Sequence, residues 1–343
     1  MRIKKIAARA VLCILLAGMV GFIWPVQVQA EDLTIGGTID LDIYGYKNKN
    51  TTSQSDIKLD ALELSIASKL SEQVSANALV KYEYNGEDYN LFVDEAYVTL
   101  SKLIDQPFTI TAGKWYLPFG VFNNHLTTDP LTEDAYEICS PAVSFSIAPE
   151  EVEGLDLSLT LYSNREGLFA DDDPNTDRDV HDGYRRDDLG NYILNASLAQ
   201  MEMIELSVYY CSEQGVGGDR NDSMGASLSA TFQQNFTFDV EYIEAIDRDD
   251  NHPEDSAYSI SGAFKVLPPL ELVGRFEGYD DGVSGDQAYD PDSLEGVEYR
   301  VSAGANYELI EHATLMSEFR VTEVEDPDVS NVKEWTLRLR VEF

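Results

Sequence analysis

The sequence predicts an all-β fold, a transmembrane antiparallel β-barrel of about 16 strands. Three observations carry that expectation. An export leader opens the chain, apolar residues then recur at every second position, and the last strand ends on an aromatic residue. In Trp335-Thr336-Leu337-Arg338-Leu339-Arg340-Val341-Glu342-Phe343 one face is apolar and the other polar. A closed barrel, with lipid outside and water inside, accounts for that pattern repeated along a whole exported chain.

Residues 1–30 read as a cleaved signal peptide. Arg2, Lys4, Lys5 and Arg9 form the basic start, and Ala10 to Phe22 is apolar but too short to span a bilayer. Pro25 interrupts it, and Val28-Gln29-Ala30 supplies small residues for cleavage after Ala30. Apolar residues continue past Cys13, where a lipobox would end, so a lipid anchor is not expected. The barrel domain is then 31–343. No later stretch approaches the roughly 18 apolar residues of a spanning helix, which leaves a secreted soluble β-protein or one inserted as strands.

The first strand sets the rule. Leu33, Ile35, Ile39, Leu41 and Ile43 share one face, and Thr34, Thr38, Asp40 and Asp42 the other. Similar runs follow near 58–70, 74–84, 91–101, 107–116, 142–148, 155–163 and 190–199, then near 204–212, 223–232, 236–246, 256–266, 270–279, 297–308, 313–322 and 332–343. Short turns at 71–73, 200–202, 233–235, 268–269 and 310–312 alternate with longer links at 47–56, 117–141, 164–189, 213–222, 247–255, 280–296 and 323–331. Tight turns on the periplasmic side and long loops outside is the outer-membrane arrangement. The link at 85–90 is short for the outer side. Hydrocarbon cannot satisfy an unpaired backbone group, so a sheet there must close on itself. Leu155, Leu157, Leu159 and Leu161, and Tyr258, Ile260, Phe264 and Val266, are the expected lipid contacts. Tyr82, Tyr84, Tyr209, Tyr210 and Tyr307, near strand ends, are expected in interfacial girdles.

A barrel of this size is too wide for side chains to fill, so a water channel is expected. Its wet face carries both signs. Lys81 and Glu83 face it early, and Glu271, Arg275, Glu277, Glu298, Arg300, Glu318, Arg320, Glu334, Arg338, Arg340 and Glu342 late. Arg275, Arg300, Arg320, Arg338 and Arg340, with Lys81 and Glu83, are the pore-lining and selectivity candidates. Salt-bridge ladders that only solvate the wall are the alternative role.

Two segments remain. Ala112-Gly113-Lys114-Trp115-Tyr116-Leu117-Pro118-Phe119-Gly120-Val121-Phe122 followed by Thr128-Asp129-Pro130-Leu131-Thr132-Glu133 resembles the LbtU-type siderophore porins. The resemblance implies a plugless barrel linked to ferric siderophore uptake, although Asp134-Ala135-Tyr136-Glu137 departs from the Leu-Gly-acid continuation of that family. By analogy with general porins this third outer link would fold inward, making Pro118, Phe119, Asp129 and Glu133 constriction candidates. Gly113, Gly120 and Pro118 also suit a purely structural kink. In the acidic link, Asp171, Asp173, Asn175, Asp177, Asp179 and Asp182 have calcium-loop spacing, but Thr176 replaces the required glycine. A true EF-hand is not expected. Loosely bound Ca²⁺ or a solvated acidic surface are the two readings.

The formal net charge is −38, and it becomes more negative once the four leader cations are removed. This disfavours nucleic acid as a partner. Expected partners are outer-membrane lipid and lipopolysaccharide, a small-molecule solute, and the barrel-assembly machinery through Phe343. The expected assembly is a monomer or a homotrimer. Cys139 and Cys211 read as two lone thiols. His125, His181, His252 and His312 form no HExxH, and no CxxC or G-x-S-x-G occurs, so no enzyme and no cofactor beyond loose Ca²⁺ are expected. His125 and His181 meeting above the barrel is the geometry a surface protease would need. The short length before the first strand leaves no room for a plug domain. The expectation is an outer-membrane porin for small polar solutes, with siderophore uptake as its finer form. A closed-lumen surface enzyme or adhesin, or a soluble β-protein, are the alternatives.

Overall fold

The computed structural model describes residues 32–48, 53–84, 89–103, 107–163, 189–200, 203–215, 219–248, 254–282, 294, 296–325, 329 and 331–343. The leader at 1–30 lies outside these residues. Among them run β1 (Asp32–Lys47), β2 (Gln54–Ser71), β3 (Val74–Tyr84), β4 (Tyr89–Ser101) and β5 (Phe108–Tyr116). A short helix α1 (Leu131–Tyr136) precedes β6 (Cys139–Ile147), β7 (Leu155–Tyr162), β8 (Asn191–Gln200), β9 (Ile204–Gln214) and β10 (Arg220–Phe232). The chain continues as β11 (Phe236–Asp247), β12 (Ser256–Leu267), β13 (Leu270–Asp280), β14 (Val297–Ile310), β15 (Ala313–Val324) and β16 (Val332–Glu342).

Each strand pairs antiparallel with its neighbours in sequence, and β1 pairs with β16, which closes the barrel. Every strand expected from the period-two pattern is present, and β1, β2, β4, β6, β9, β10 and β15 run two to four residues further at their outer ends. The short turns lie on one side. In the turn after β10, Gln233 and Gln234 adopt φ of 51° and 61°, the left-handed pair that matches the twist of a tight hairpin.

Alternation sorts the wall. Leu157, Leu159, Ile260, Phe264 and Val266 point out and are exposed on the isolated chain, where hydrocarbon would cover them. Tyr82 stacks on Tyr89 at 5.2 Å between ring centroids, and Tyr210 lies 6.0 Å from Tyr192 on the outer surface. Tyr209 departs from the girdle expectation. It is buried inside and donates its hydroxyl to Glu241 at 2.6 Å. Neighbouring strand residues face opposite ways, so Tyr209 and Tyr210 cannot share a girdle. The Tyr84 side chain lies outside the described residues.

The seam is tied on both faces. Gly37 and Phe343 exchange backbone hydrogen bonds at 2.9 and 3.0 Å. On the outside, a Cβ on Gly37 would meet the Phe343 ring, and one on Gly45 would run into the Trp335 indole. On the inside, Asp40 and Asp42 of β1 stand opposite Arg340 and Arg338 of β16.

Candidate functional site

β5 and β6 are nine residues each, against thirteen for β4. The wall is low there, and residues 117–138 turn inward across the lumen. Leu117 N–H donates to the Ile138 carbonyl at 2.7 Å and closes the neck of this loop. The turn itself needs Gly120, whose φ is +96°, followed by Phe122 at +50°. A Cβ on Gly120 would collide with the Phe122 ring, so only glycine lets the chain fold back so tightly.

An apolar face docks the loop on the wall. Phe119 is 0% exposed, wedged edge-on between Tyr136 at 6.2 Å and Tyr209 at 5.3 Å. Leu117 and Ile138 join Tyr162, Ile193, Cys211, Ile243 and Ala257 of the wall in one cluster. Leu126 packs separately on Ala263 and Val273. Burying Phe119 alone is worth about 2–3 kcal/mol.

Buried carboxylates of β11, β13 and β15 hold the loop backbone. Glu241 accepts from Val121 N–H at 2.7 Å, Phe122 N–H at 3.2 Å and the Thr132 hydroxyl at 2.9 Å. Glu318 accepts from Thr127 N–H and hydroxyl at 3.0 and 2.8 Å, and from Thr128 N–H and hydroxyl at 3.0 and 2.8 Å. Glu277 takes Leu131 N–H at 2.8 Å. Asp239 receives Asn123 at 2.9 Å and pairs with His125 at 3.2 Å. The His125 imidazole is thereby held above its usual range, chiefly by the Asp239 hydrogen bond. Loop groups that water would otherwise satisfy are thus bonded to charged acceptors, which are the strong kind.

The arginines expected to form one selectivity stripe divide by task. Arg275 is 3% exposed and turned onto the loop, donating to Asn124 Oδ1, to Thr128 O and Oγ1, and to Asp129 O at 2.9–3.1 Å, while Glu277 pairs with its Nε at 2.9 Å. Arg300 meets Asp134 of the loop at 2.9 Å, and Arg320 pairs with Glu334 at 2.8 Å. Within the loop, Phe119 faces the wall rather than the water, and Pro118 accepts from Asn195 at 3.2 Å through its carbonyl. Of the other two constriction candidates, Asp129 is exposed and Glu133 half-buried on the loop.

The side of the loop away from the wall is acidic. With Leu131, Thr132 and Tyr136 of α1 buried against the wall, Glu133, Asp134 and Glu137 turn to the water along with Asp129. Enclosure in the barrel, reinforced by mutual repulsion, pushes the Glu133 carboxyl up to about 9 and Glu137 up to about 7. It raises Asp129 as well. The loop hydrogen bonds that position these groups go to β8, β11 and β13–β15, and β16, β1, β2 and β3 stand opposite. There Arg338 lies against Asp42 with two contacts of 2.8 Å, against Asp60, and 3.4 Å from Asp40. Arg340 meets Asp40 at 2.6 Å, Lys58 meets Asp60 at 2.6 Å, and Lys81 lies 3.5–3.9 Å from Glu63, Glu83 and Asp94.

Sequence reasoning missed Asp239, Glu241 and the apolar anchors Ile193 and Ile243. An apolar residue on the wet face of a strand is the signal that marks such anchors. Cys139 and Cys211 are free thiols. The calcium-spaced residues Asp171, Asp173, Asn175, Asp177, Asp179 and Asp182, together with His181 and His252, lie outside the described residues. His125 sits within the lumen on Asp239, not above the barrel.

Residues 25–327 match the family described as Gram-negative porin. The anion-selective porin from Comamonas acidovorans superposes with a TM-score of 0.65 at 11% identity, over 91% of this chain and 99% of that one. The outer membrane channel DcaP of Acinetobacter baumannii gives 0.64 at 13%, over 91% and 97%. OmpT of Vibrio cholerae, in its trimer form, gives 0.57 at 9%, over 91% and 99%. In sequence, UPF0422 protein lpl2888 of Legionella pneumophila (strain Lens) is 29% identical over 93 residues, 24% of this chain. The chain spans only 17% of the length of that relative.

Proposed function

The chain belongs to the Gram-negative porin family, a bacterial outer-membrane channel for small solutes, and on that premise we propose that polar solutes cross it by diffusion past the inward loop. The observation that carries this reading is the double anchoring of residues 117–138. Apolar contacts and buried carboxylates fix the loop to one wall, so the solute path runs between its acidic face and β16, β1, β2 and β3. Asp129, Glu133, Lys81, Glu83, Arg338 and Arg340 are the side chains that a solute would pass. Arg275, Arg300 and Arg320 act one step back, holding the loop and wall that present them.

The test is planar-bilayer conductance of the refolded chain 31–343. Stable stepwise conductance is expected, and a heat-modifiable, folded barrel that never conducts would overturn the reading.

The loop motif supports a finer version, passage of ferric siderophores. Of the residues carrying the resemblance to LbtU-type porins, Ala112 to Phe122 and Thr128 to Glu133, those after Tyr116 fall within the inward loop. Liposomes loaded with an iron-quenched dye would report this. Faster siderophore entry than entry of a neutral sugar of similar mass is expected, and equal rates would leave only general diffusion. The proposed assembly is a monomer or homotrimer, the latter with a precedent in the trimer form of the outer membrane protein OmpT, which is similar in fold. Lipopolysaccharide and loosely held Ca²⁺ at the acidic outer link remain proposed contacts, as does recognition of Phe343 by assembly machinery.

A further inference from the structure

We infer that the channel selects cations over anions, and that the carboxylates surrounding Arg338 and Lys81 set this preference. The inference rests on the diffusion reading and adds the sign of the solute to it.

Facing the lumen from the uncovered wall, Arg338, Arg340, Lys58 and Lys81 each pair with at least one carboxylate, whereas Lys69 near the periplasmic end of β2 is exposed. Arg338 touches Asp40, Asp42 and Asp60, and its Nε and both terminal nitrogens are all committed to them. Arg340 shares Asp40, Lys58 shares Asp60, and Lys81 sits among Glu63, Glu83 and Asp94. These four cations therefore meet six carboxylates of β1 to β4. Across the lumen the loop adds Asp129 and Glu137, while its own cationic neighbours are spent. Arg275 is directed at loop carbonyls and Glu277, and Arg300 at Asp134.

Donor and acceptor capacity decides what a passing ion meets. A guanidinium has five N–H donors and no acceptor, and the donors of Arg338 already face Asp40, Asp42 and Asp60. A carboxylate has about four lone-pair sites, so one that accepts a single ion pair still presents open acceptors. At Arg338 an anion thus finds occupied donors, and along the wall a cation finds unoccupied oxygen. The residual charge acts in the same direction. Low-dielectric walls focus the field of a narrow ring, so an uncompensated excess of carboxylates raises the local concentration of cations. The arginines divide the carboxylates and fix their positions without reversing the sign.

The experiment is the reversal potential of the refolded chain across a KCl gradient. A potential of the cation-selective sign supports the inference. An anion-selective sign overturns it while leaving the pore reading intact, and no conductance at all strikes the pore reading instead. Asp60→Asn combined with Glu83→Gln should bring the K⁺/Cl⁻ permeability ratio severalfold closer to unity, whereas Glu311→Gln, in an exposed turn, should leave it unchanged. An unaltered ratio in the double variant overturns the assignment to this wall. Should that variant not fold, the unaltered protein at rising ionic strength serves in its place. Screening should shrink the preference as the Debye length falls below about 10 Å, and a salt-independent ratio overturns the inference.

Discussion

Arg338 of the last strand holds Asp42 of the first in a two-point ion pair, Nε to Oδ1 and Nη2 to Oδ2, both at 2.8 Å. The pair joins the two strands that close the barrel, and it faces the proposed solute path. Arg338→Gln should therefore have two effects. It leaves three aspartates without their shared cation, which costs about 3–5 kcal/mol when the site is buried. It also raises the preference for cations. A lower temperature of heat modification, measured with a larger cationic reversal potential, is the expected joint outcome.

Glu318→Ala removes the acceptor for two backbone N–H groups and two hydroxyls of the loop. Hydrogen bonds to a charged group contribute about 1.5–3 kcal/mol each. The loop should partly release, giving larger and noisier single-channel conductance. Traces identical to the parent would mean that the loop is held without this residue.

Phe119→Ala attacks the same loop from its apolar side. Losing a fully buried ring costs about 3–5 kcal/mol, concentrated on loop docking because strand pairing does not involve it. Limited proteolysis should cut within 117–138 at a protease concentration that spares the parent barrel.

Raising the pH should act through the loop acids. Glu133 and Glu137 have folded values above the ordinary carboxylate range, so the folded loop binds more protons than a free one from about pH 4.5 to 9. Docking is therefore strongest at low pH and weakens as pH rises through about 7 and then 9. His125, held high by Asp239, has the same sign, since its contribution is lost as pH rises through its folded value. Lys81 of β3 and Asp94 of β4 face Glu137, and Asp129 and Asp134 face Glu133. Ionisation of Glu133 and Glu137 should increase cation preference between pH 6 and 9, and Glu133→Gln with Glu137→Gln should flatten the profile.

Gly45→Val places a branched side chain where the Trp335 indole rests. Ring and strand cannot both keep their positions, so β1 and β16 should pair poorly. A reduced yield of the compact, heat-modifiable form is expected, and full yield would show that the seam tolerates separation of the ring from the backbone.

The barrel is legible in the sequence because each strand states its own two faces, and Leu155 to Leu161 needs no other part of the chain to be read. The loop is not legible in that way. Glu241 and Glu318 look like ordinary wet-face residues of β11 and β15, and their role depends on a segment over a hundred residues earlier. Asp129 and Glu133 could be placed near the constriction, but the wall-facing direction of Phe119 follows only from its contacts with Tyr136 and Tyr209. Arg275 and Arg338 carry the same charge on the same face, and only their partners separate a loop clamp from a lumenal ion pair.

The loop leaves the wall after the fifth strand, yet its anchors are separated from it by 109 residues at Glu241, 146 at Glu277 and 191 at Glu318. A barrel growing strand by strand would hold the loop only by Tyr162, Ile193 and Asn195 until its C-terminal half arrived. The bore of the channel is then decided last, and a chain truncated before β15 would leave its restriction half fastened. Completion of the wall and calibration of the opening are the same event.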